Sequence, residues 1–75
     1  MERALQRITS DPAIFGGKPI IRGMRITVDF VVKLLGDGLD AAGIVAAYPE
    51  LEKEDVYQAA KYAAWLASEK TSAVR

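Results

Sequence analysis

Two breaks in the C-terminal two-thirds of the chain decide what it can fold into. Gly36-Asp37-Gly38 and Tyr48-Pro49-Glu50-Leu51 cut residues 28–69 into three stretches, each with the apolar spacing of a helix. Thr27 stands where an N-cap belongs, ahead of Val28, Val31, Val32, Leu34 and Leu35, and Asp29 lies near the positive helix end. The glycines then stop that helix. Asp40 caps a second helix with apolar positions Ile44, Val45 and Tyr48, and Leu39 is placed to staple onto Ile44. Gly43 weakens this helix by about 1 kcal/mol relative to alanine. Pro49 ends it, because the residue before a proline avoids helical angles. A third helix runs from roughly Lys53 to Glu69, its start marked by Glu52, Glu54 and Asp55.

Residues 1–27 read differently, as an extended arm. Ile8-Thr9-Ser10 is β-prone and ends at the turn dipeptide Asp11-Pro12. Phe15-Gly16-Gly17-Lys18-Pro19 is a loop. Ile20-Ile21 and Met24-Arg25-Ile26 flank Arg22-Gly23, which predicts a tight hairpin with glycine supplying the unusual backbone angle. The alternative is a disordered arm, against which stands the need to bury the isoleucines. The fold class expected is mainly α: a small N-terminal β-hairpin, a three-helix helix-turn-helix bundle over 28–69 and a tail over 70–75, all one domain.

Composition limits what such a chain can do. Of the residues counted as hydrophobic, 12 are alanine, so the larger apolar side chains must supply most of a small core. A homodimer is the cheapest source of further burial. Cysteine and histidine are absent, which removes disulfides, the commonest metal ligands and the commonest general base. No apolar run approaches the roughly 20 residues that span a bilayer, and the first residues lack the apolar run of a secretory signal, so a soluble cytoplasmic protein is expected. Gly16-Gly17-Lys18 has the wrong spacing for a phosphate loop. Asp37 and Asp40 read as turn and cap residues rather than metal ligands. No catalytic constellation is visible, and neither a cofactor nor a small-molecule substrate is expected.

The net charge of zero hides an asymmetry: residues 1–27 carry +3 and residues 28–75 carry −3. Any contact with nucleic acid would be led by the N-terminal part, through Lys18, Arg22 and Arg25. The third helix adds Lys53, Gln58 and Lys61 as candidate readers, although its acidic start disfavours phosphate. On a helical wheel Val56, Ala59, Ala60, Ala63, Leu66 and Ala67 form a core stripe. Trp65 then points away from it, with Tyr62 and Gln58 on one flank and Tyr57, Lys61, Ala64 and Ser68 on the other. Tyr57, Tyr62 and Trp65 are therefore candidate contacts to a second subunit or another protein. The alternative is that the N-terminal arm covers Trp65 within the same chain.

The order Ile8-Thr9-Ser10-Asp11-Pro12, Phe15-Gly16-Gly17-Lys18-Pro19-Ile20-Ile21-Arg22-Gly23-Met24-Arg25-Ile26-Thr27-Val28, Gly38-Leu39-Asp40, Ile44, Tyr48-Pro49-Glu50-Leu51, Glu54-Asp55-Val56 and Ala59-Ala60 resembles the DUF433 family over about residues 7–67. The resemblance implies a homeodomain-like, winged-helix-type bundle and an antitoxin of a toxin–antitoxin pair. Such a protein would neutralise a PIN-like nuclease and bind its own operator DNA as a dimer. The family often has threonine or serine where Glu52 stands, and glutamate where Gly43 stands. The competing expectation is a protein–protein interaction module without a DNA role.

Overall fold

The computed structural model describes residues 5–71, the last three of them by backbone alone. Residues 1–4 of the expected arm and 72–75 of the expected tail lie outside the described residues. In chain order there are β1 (Ile8–Thr9), a short 3-10 turn (Phe15–Gly17), β2 (Ile20–Ile21), α1 (Val28–Gly36), α2 (Ala41–Ala47) and α3 (Lys53–Thr71). The architecture is a small three-helix bundle with a two-stranded antiparallel sheet, the class expected from the sequence.

Each helix begins and ends where the local chemistry requires. The Phe30 backbone N–H donates to Thr27 Oγ1 at 3.0 Å, which caps α1. At its other end Gly38 takes φ +106°, where only glycine is unstrained. That turn lets the Gly38 N–H reach the Leu35 carbonyl and the Leu39 N–H reach the Leu34 carbonyl, the paired bonds of a Schellman motif. Asp40 caps α2 by accepting from the Gly43 N–H at 2.8 Å. Leu39 and Ile44 pack into the same core cluster, as a staple should. α3 runs two residues beyond the expected Glu69.

The sheet differs from the expected hairpin. Arg22 and Gly23 do make the tight turn, both with left-handed φ, and the Met24 N–H donates to the Ile21 carbonyl at 2.7 Å. The returning chain then slips. The Ile21 N–H pairs with the Ile26 carbonyl instead of Met24, so Met24 and Arg25 bulge out. Only an isolated bridge, Ile20 to Thr27, survives on that side. The two-stranded sheet is formed instead by Ile20–Ile21 with Ile8–Thr9, in the register Ile8 to Ile21 and Thr9 to Ile20. Both isoleucines of β2 are fully buried, which explains why the segment is ordered.

Ile21, Val28, Val31, Ile44, Leu51, Val56 and Ala59 make the core, closed by partly buried side chains from every helix. α3 packs on α1, α2 and β1. Its burial stops early. Val56 and Ala59 are buried, whereas Trp65, Leu66 and Ala67 are exposed. The expected core stripe is therefore real only over the N-terminal half of α3, because the nine residues of α1 are too short to follow a helix of 19.

Candidate functional site

The most elaborate polar arrangement sits where α3 begins, around Asp55. This carboxylate is fully buried. Its Oδ1 accepts from Arg22 Nε at 2.9 Å and Arg7 Nη1 at 3.0 Å. Its Oδ2 accepts from Arg22 Nη2 at 2.7 Å and the Glu52 backbone N–H at 2.8 Å. Four donors fill the four acceptor sites of an ionised carboxyl group. Burial alone would push the Asp55 pKa up; the hydrogen bonds from Arg22, Glu52 N–H and Arg7 outweigh it and hold the group low, at about 2. Both guanidiniums are correspondingly raised, Arg7 chiefly by its hydrogen bond to Glu52 and Arg22 chiefly by its bond to Asp55.

The clasp joins distant pieces of chain. Arg7 precedes β1, Arg22 stands in the turn after β2, and Asp55 occupies the third helical position of α3. The Arg22 N–H donates to the Arg7 carbonyl at 2.8 Å, and Arg22 Nη2 also donates to the Glu50 carbonyl at 3.1 Å. These bonds fix Arg22 at φ +44°, a conformation that side-chain-bearing residues rarely adopt. Arg7 Nη1 additionally donates to Glu52 Oε1 at 2.7 Å. Glu52, which stands where relatives of the resembled family often carry a capping hydroxyl, thus serves the clasp instead. The contact is structural chemistry: it neutralises a buried charge and leaves no lone pair for a substrate.

This geometry redistributes the candidate nucleic-acid contacts. Arg22 is consumed by Asp55 and Glu50. Gln58 is buried at 4 % exposure, its Oε1 accepting the Arg7 backbone N–H at 2.9 Å and its Nε2 donating to Glu54 at 3.1 Å. It therefore faces the β1 segment and not the outside, a correction to its place among the readers; the cause is that it shares the buried side of α3 with Asp55 and Ala59. Lys18 is exposed and pairs loosely with Asp29 at 3.3 Å. Arg25, Lys53 and Lys61 are exposed and carry no ion pair among the described residues. Arg25 borders an open groove of about 510 Å³ between the 15–18 loop and the α1 and α2 ends. Its lining includes Phe15, itself half-exposed at φ +50°, and the edge-to-face pair Phe30–Tyr48, with ring centroids 5.4 Å apart.

The aromatic candidates lie on α3. Tyr57 is 54 % exposed and Trp65 is 45 % exposed. Tyr62 is half-buried and leans on Trp65, with ring centroids 5.9 Å apart. Tyr62 also lines a groove of about 260 Å³ with Val28, Val32, Ala63 and Leu66, edged by Asp29 and Lys33 of α1. Tyr62 and Trp65 thus form one continuous surface with Leu66, while Tyr57 stands on the far side of the helix. Asp37 and Asp40 are a C-cap and an N-cap. Among the described residues no three carboxylates gather as a cation site would require, and no helix is long and apolar enough to cross a membrane.

Sequence reasoning missed the clasp. Asp55 read as an acidic residue suited to a helix start, and Arg7 drew no attention. The available signal was the period: Asp55 sits four residues before Ala59 and so on the buried side of α3, where a carboxylate demands a cation.

Residues 8–63 match the family described as "Protein of unknown function (DUF433)". The chain is also similar to the "Uncharacterized protein y4eO" of Sinorhizobium fredii (strain NBRC 101917 / NGR234), with 35% identity over 60 residues. That match covers 80% of this chain and 27% of the relative, so the chain spans about a quarter of the curated relative's length. No solved structure matches it.

Proposed function

Because the chain belongs to the DUF433 family, we propose that it is a non-enzymatic, antitoxin-type regulator that acts in the cytoplasm by binding and neutralising a PIN-like nuclease. The observation that carries this reading is the kind of surface left unsatisfied. The buried charge is fully answered inside the fold, while Phe15, Tyr57, Trp65 and Leu66 stand exposed on a very small chain. Exposed aromatic side chains in that density suit association with another protein. The test is to purify the chain with the product of the adjacent gene and measure RNA cleavage by that product. A stoichiometric complex with suppressed cleavage is the expected result. A neighbour product that neither binds the chain nor loses activity in its presence overturns the proposal.

A second role, operator binding as a dimer, is supported by Arg25, Lys53 and Lys61, which are exposed cations with no ion pair among the described residues. The acidic side chains Glu52 and Glu54 at the start of α3 weigh against major-groove entry by that helix. The basic bulge at Arg25 is the better candidate for phosphate contact. A gel shift with the upstream DNA should weaken steeply with salt and weaken further in Arg25→Ala. Failure of the wild-type chain to shift that DNA at low salt removes this role and leaves a pure protein-binding module.

A further inference from the structure

Phe15 is held outward at a conformational cost. Its backbone sits at φ +50°, where a bulky side chain is strained. The turn that keeps it there is closed by two bonds: the Gly17 N–H donates to the Ile14 carbonyl at 3.1 Å, and the Lys18 N–H to the Phe15 carbonyl at 3.2 Å. The ring gains no place in the core in return, and it stays 49 % exposed. It instead walls the groove of about 510 Å³ that Phe30 and Tyr48 also line. Lys18 and the outward-bulging Arg25 belong to the same lining. We infer that this groove holds a peptide segment of a partner protein, with one aromatic or branched aliphatic side chain among the rings and a neighbouring carboxylate on Arg25. The inference rests on the reading of the chain as a protein-binding regulator and names what its partner must present.

Charge and ring geometry select this occupant. Arg25 is exposed, with no ion pair among the described residues. Lys18 reaches Asp29 at 3.3 Å, but with side chains 59% and 72% exposed that pair is weak and exchanges readily. Glu50 is the one acidic side chain of the lining among the described residues. The groove therefore offers two cations against one carboxylate and suits an anionic segment. Its rings decide between a peptide and a nucleic-acid strand. Phe30 and Tyr48 meet edge to face at 87°. Perpendicular rings make a notch, which suits a third ring or a branched side chain, whereas successive bases need flat platforms to stack on. A strand would also carry its regular phosphates past Glu50. A peptide places one carboxylate where the cations stand and offers backbone N–H groups to Glu50. The volume falls within the roughly 300–1,000 Å³ of sites that enclose a small ligand, enough for one large side chain and its flanking backbone. Arg25 cannot serve a carboxylate and a DNA phosphate at once, so partner and operator exclude each other at this bulge.

Nuclear magnetic resonance on the isotope-labelled full chain tests the groove directly. The blocked tripeptide acetyl-Glu-Phe-Glu-amide should move the amide signals of Phe15, Arg25, Phe30 and Tyr48, with a Kd on the order of 1 mM. Acetyl-Lys-Phe-Lys-amide and acetyl-Glu-Ala-Glu-amide should each bind at least ~10-fold more weakly. Arg25→Ala should weaken the acidic tripeptide about 5-fold and remove most of the salt dependence of its binding. Phe15→Gly takes away the ring and the backbone strain together. It should leave the helical circular dichroism unchanged and weaken the tripeptide about 10-fold. Silence up to about 10 mM tripeptide, equal binding of the lysine peptide, or full binding by Phe15→Gly overturns the inference. So does tighter binding of a thymidine hexanucleotide at the same amides, which would assign the groove to single-stranded nucleic acid. The nuclease reading fails separately. Tripeptide binding without any complex with the adjacent gene's product removes that nuclease as the partner and keeps the groove. A complex that forms while the tripeptide stays unbound keeps the nuclease and removes the groove.

Discussion

Replacing Asp55 with asparagine tests the clasp at its centre. The shape is kept and the charge is lost. An amide accepts through one oxygen and must present its NH₂ where the other oxygen stood, facing two donors. Either Arg22 Nε and Arg7 Nη1, or Arg22 Nη2 and the Glu52 N–H, would then oppose a donor. Removing one partner of a buried ion pair costs about 3–5 kcal/mol when the remaining charge is sealed in. Here the guanidiniums keep water contact, with side-chain exposures of 26% and 37%. Rehydration softens the loss, and about 2–3 kcal/mol is expected, a large fraction of the stability of so small a domain. Acid provides the second half of the test. The folded Asp55 titrates at about 2 against an ordinary 3.8, so its ionised form contributes roughly 2 kcal/mol to stability. That contribution is whole above the ordinary carboxylate value and is lost as pH falls through the folded one. Urea unfolding followed by circular dichroism should show the wild type losing about 2 kcal/mol more than Asp55→Asn between pH 5 and pH 2. An asparagine variant within about 0.5 kcal/mol of wild type at pH 7, or one that weakens equally in acid, would refute the reasoning.

Three further substitutions address the helix ends. Gly38→Ala forces a side chain onto φ +106° and should lower stability by about 1–2 kcal/mol, read as a fall in thermal midpoint of several degrees. Thr27→Ala removes the acceptor of the Phe30 N–H and should cost about 1 kcal/mol by the same measurement. Gly43→Ala should stabilise the fold by somewhat less than the ~1 kcal/mol helix gain; its new Cβ would lie 3.2 Å from Asp40 Oδ1, a side chain exposed enough to yield by a few tenths of an ångström. A destabilised Gly43→Ala protein would mean that the Asp40 cap cannot move.

The helices were legible because their signals are local. Thr27, Asp40, Gly38 and Pro49 each act on a few neighbouring residues, and each acts as its chemistry dictates. The pairing of β2 was not legible, since Ile8–Thr9 and the segment after Gly23 present similar β-prone residues to Ile20–Ile21. Which edge forms the ladder depends on the bulge at Met24 and Arg25, and a bulge has no sequence marker here. Period alone placed Ala59 and Leu66 on one side of α3, but not the point at which α1 stops covering that side. For the same reason the period sets Trp65 apart from the core, where the fold also leaves it, but places in the core Leu66 and Ala67, which the fold leaves exposed. Arg22 and Gln58 show the limit for the candidate site. A cation or amide at the surface of a one-dimensional pattern is free to bind, and only the folded chain reveals that Asp55 and Arg7 have already engaged them.

The bonds of Arg7 also set how the molecule opens. Its side chain and backbone N–H reach residues 48 and 51 positions away in sequence, so nearly the whole chain must be gathered before the start of α3 is sealed. The Glu52 and Arg7 amides share this closure, one donating to Asp55 and the other to Gln58. Solvent exchange at the two should proceed at a common rate, governed by one cooperative event, whereas the far end of α3 can fray without disturbing either. A helix that looks continuous is in this sense two objects, one half locked to the first strand and the other free to change its company.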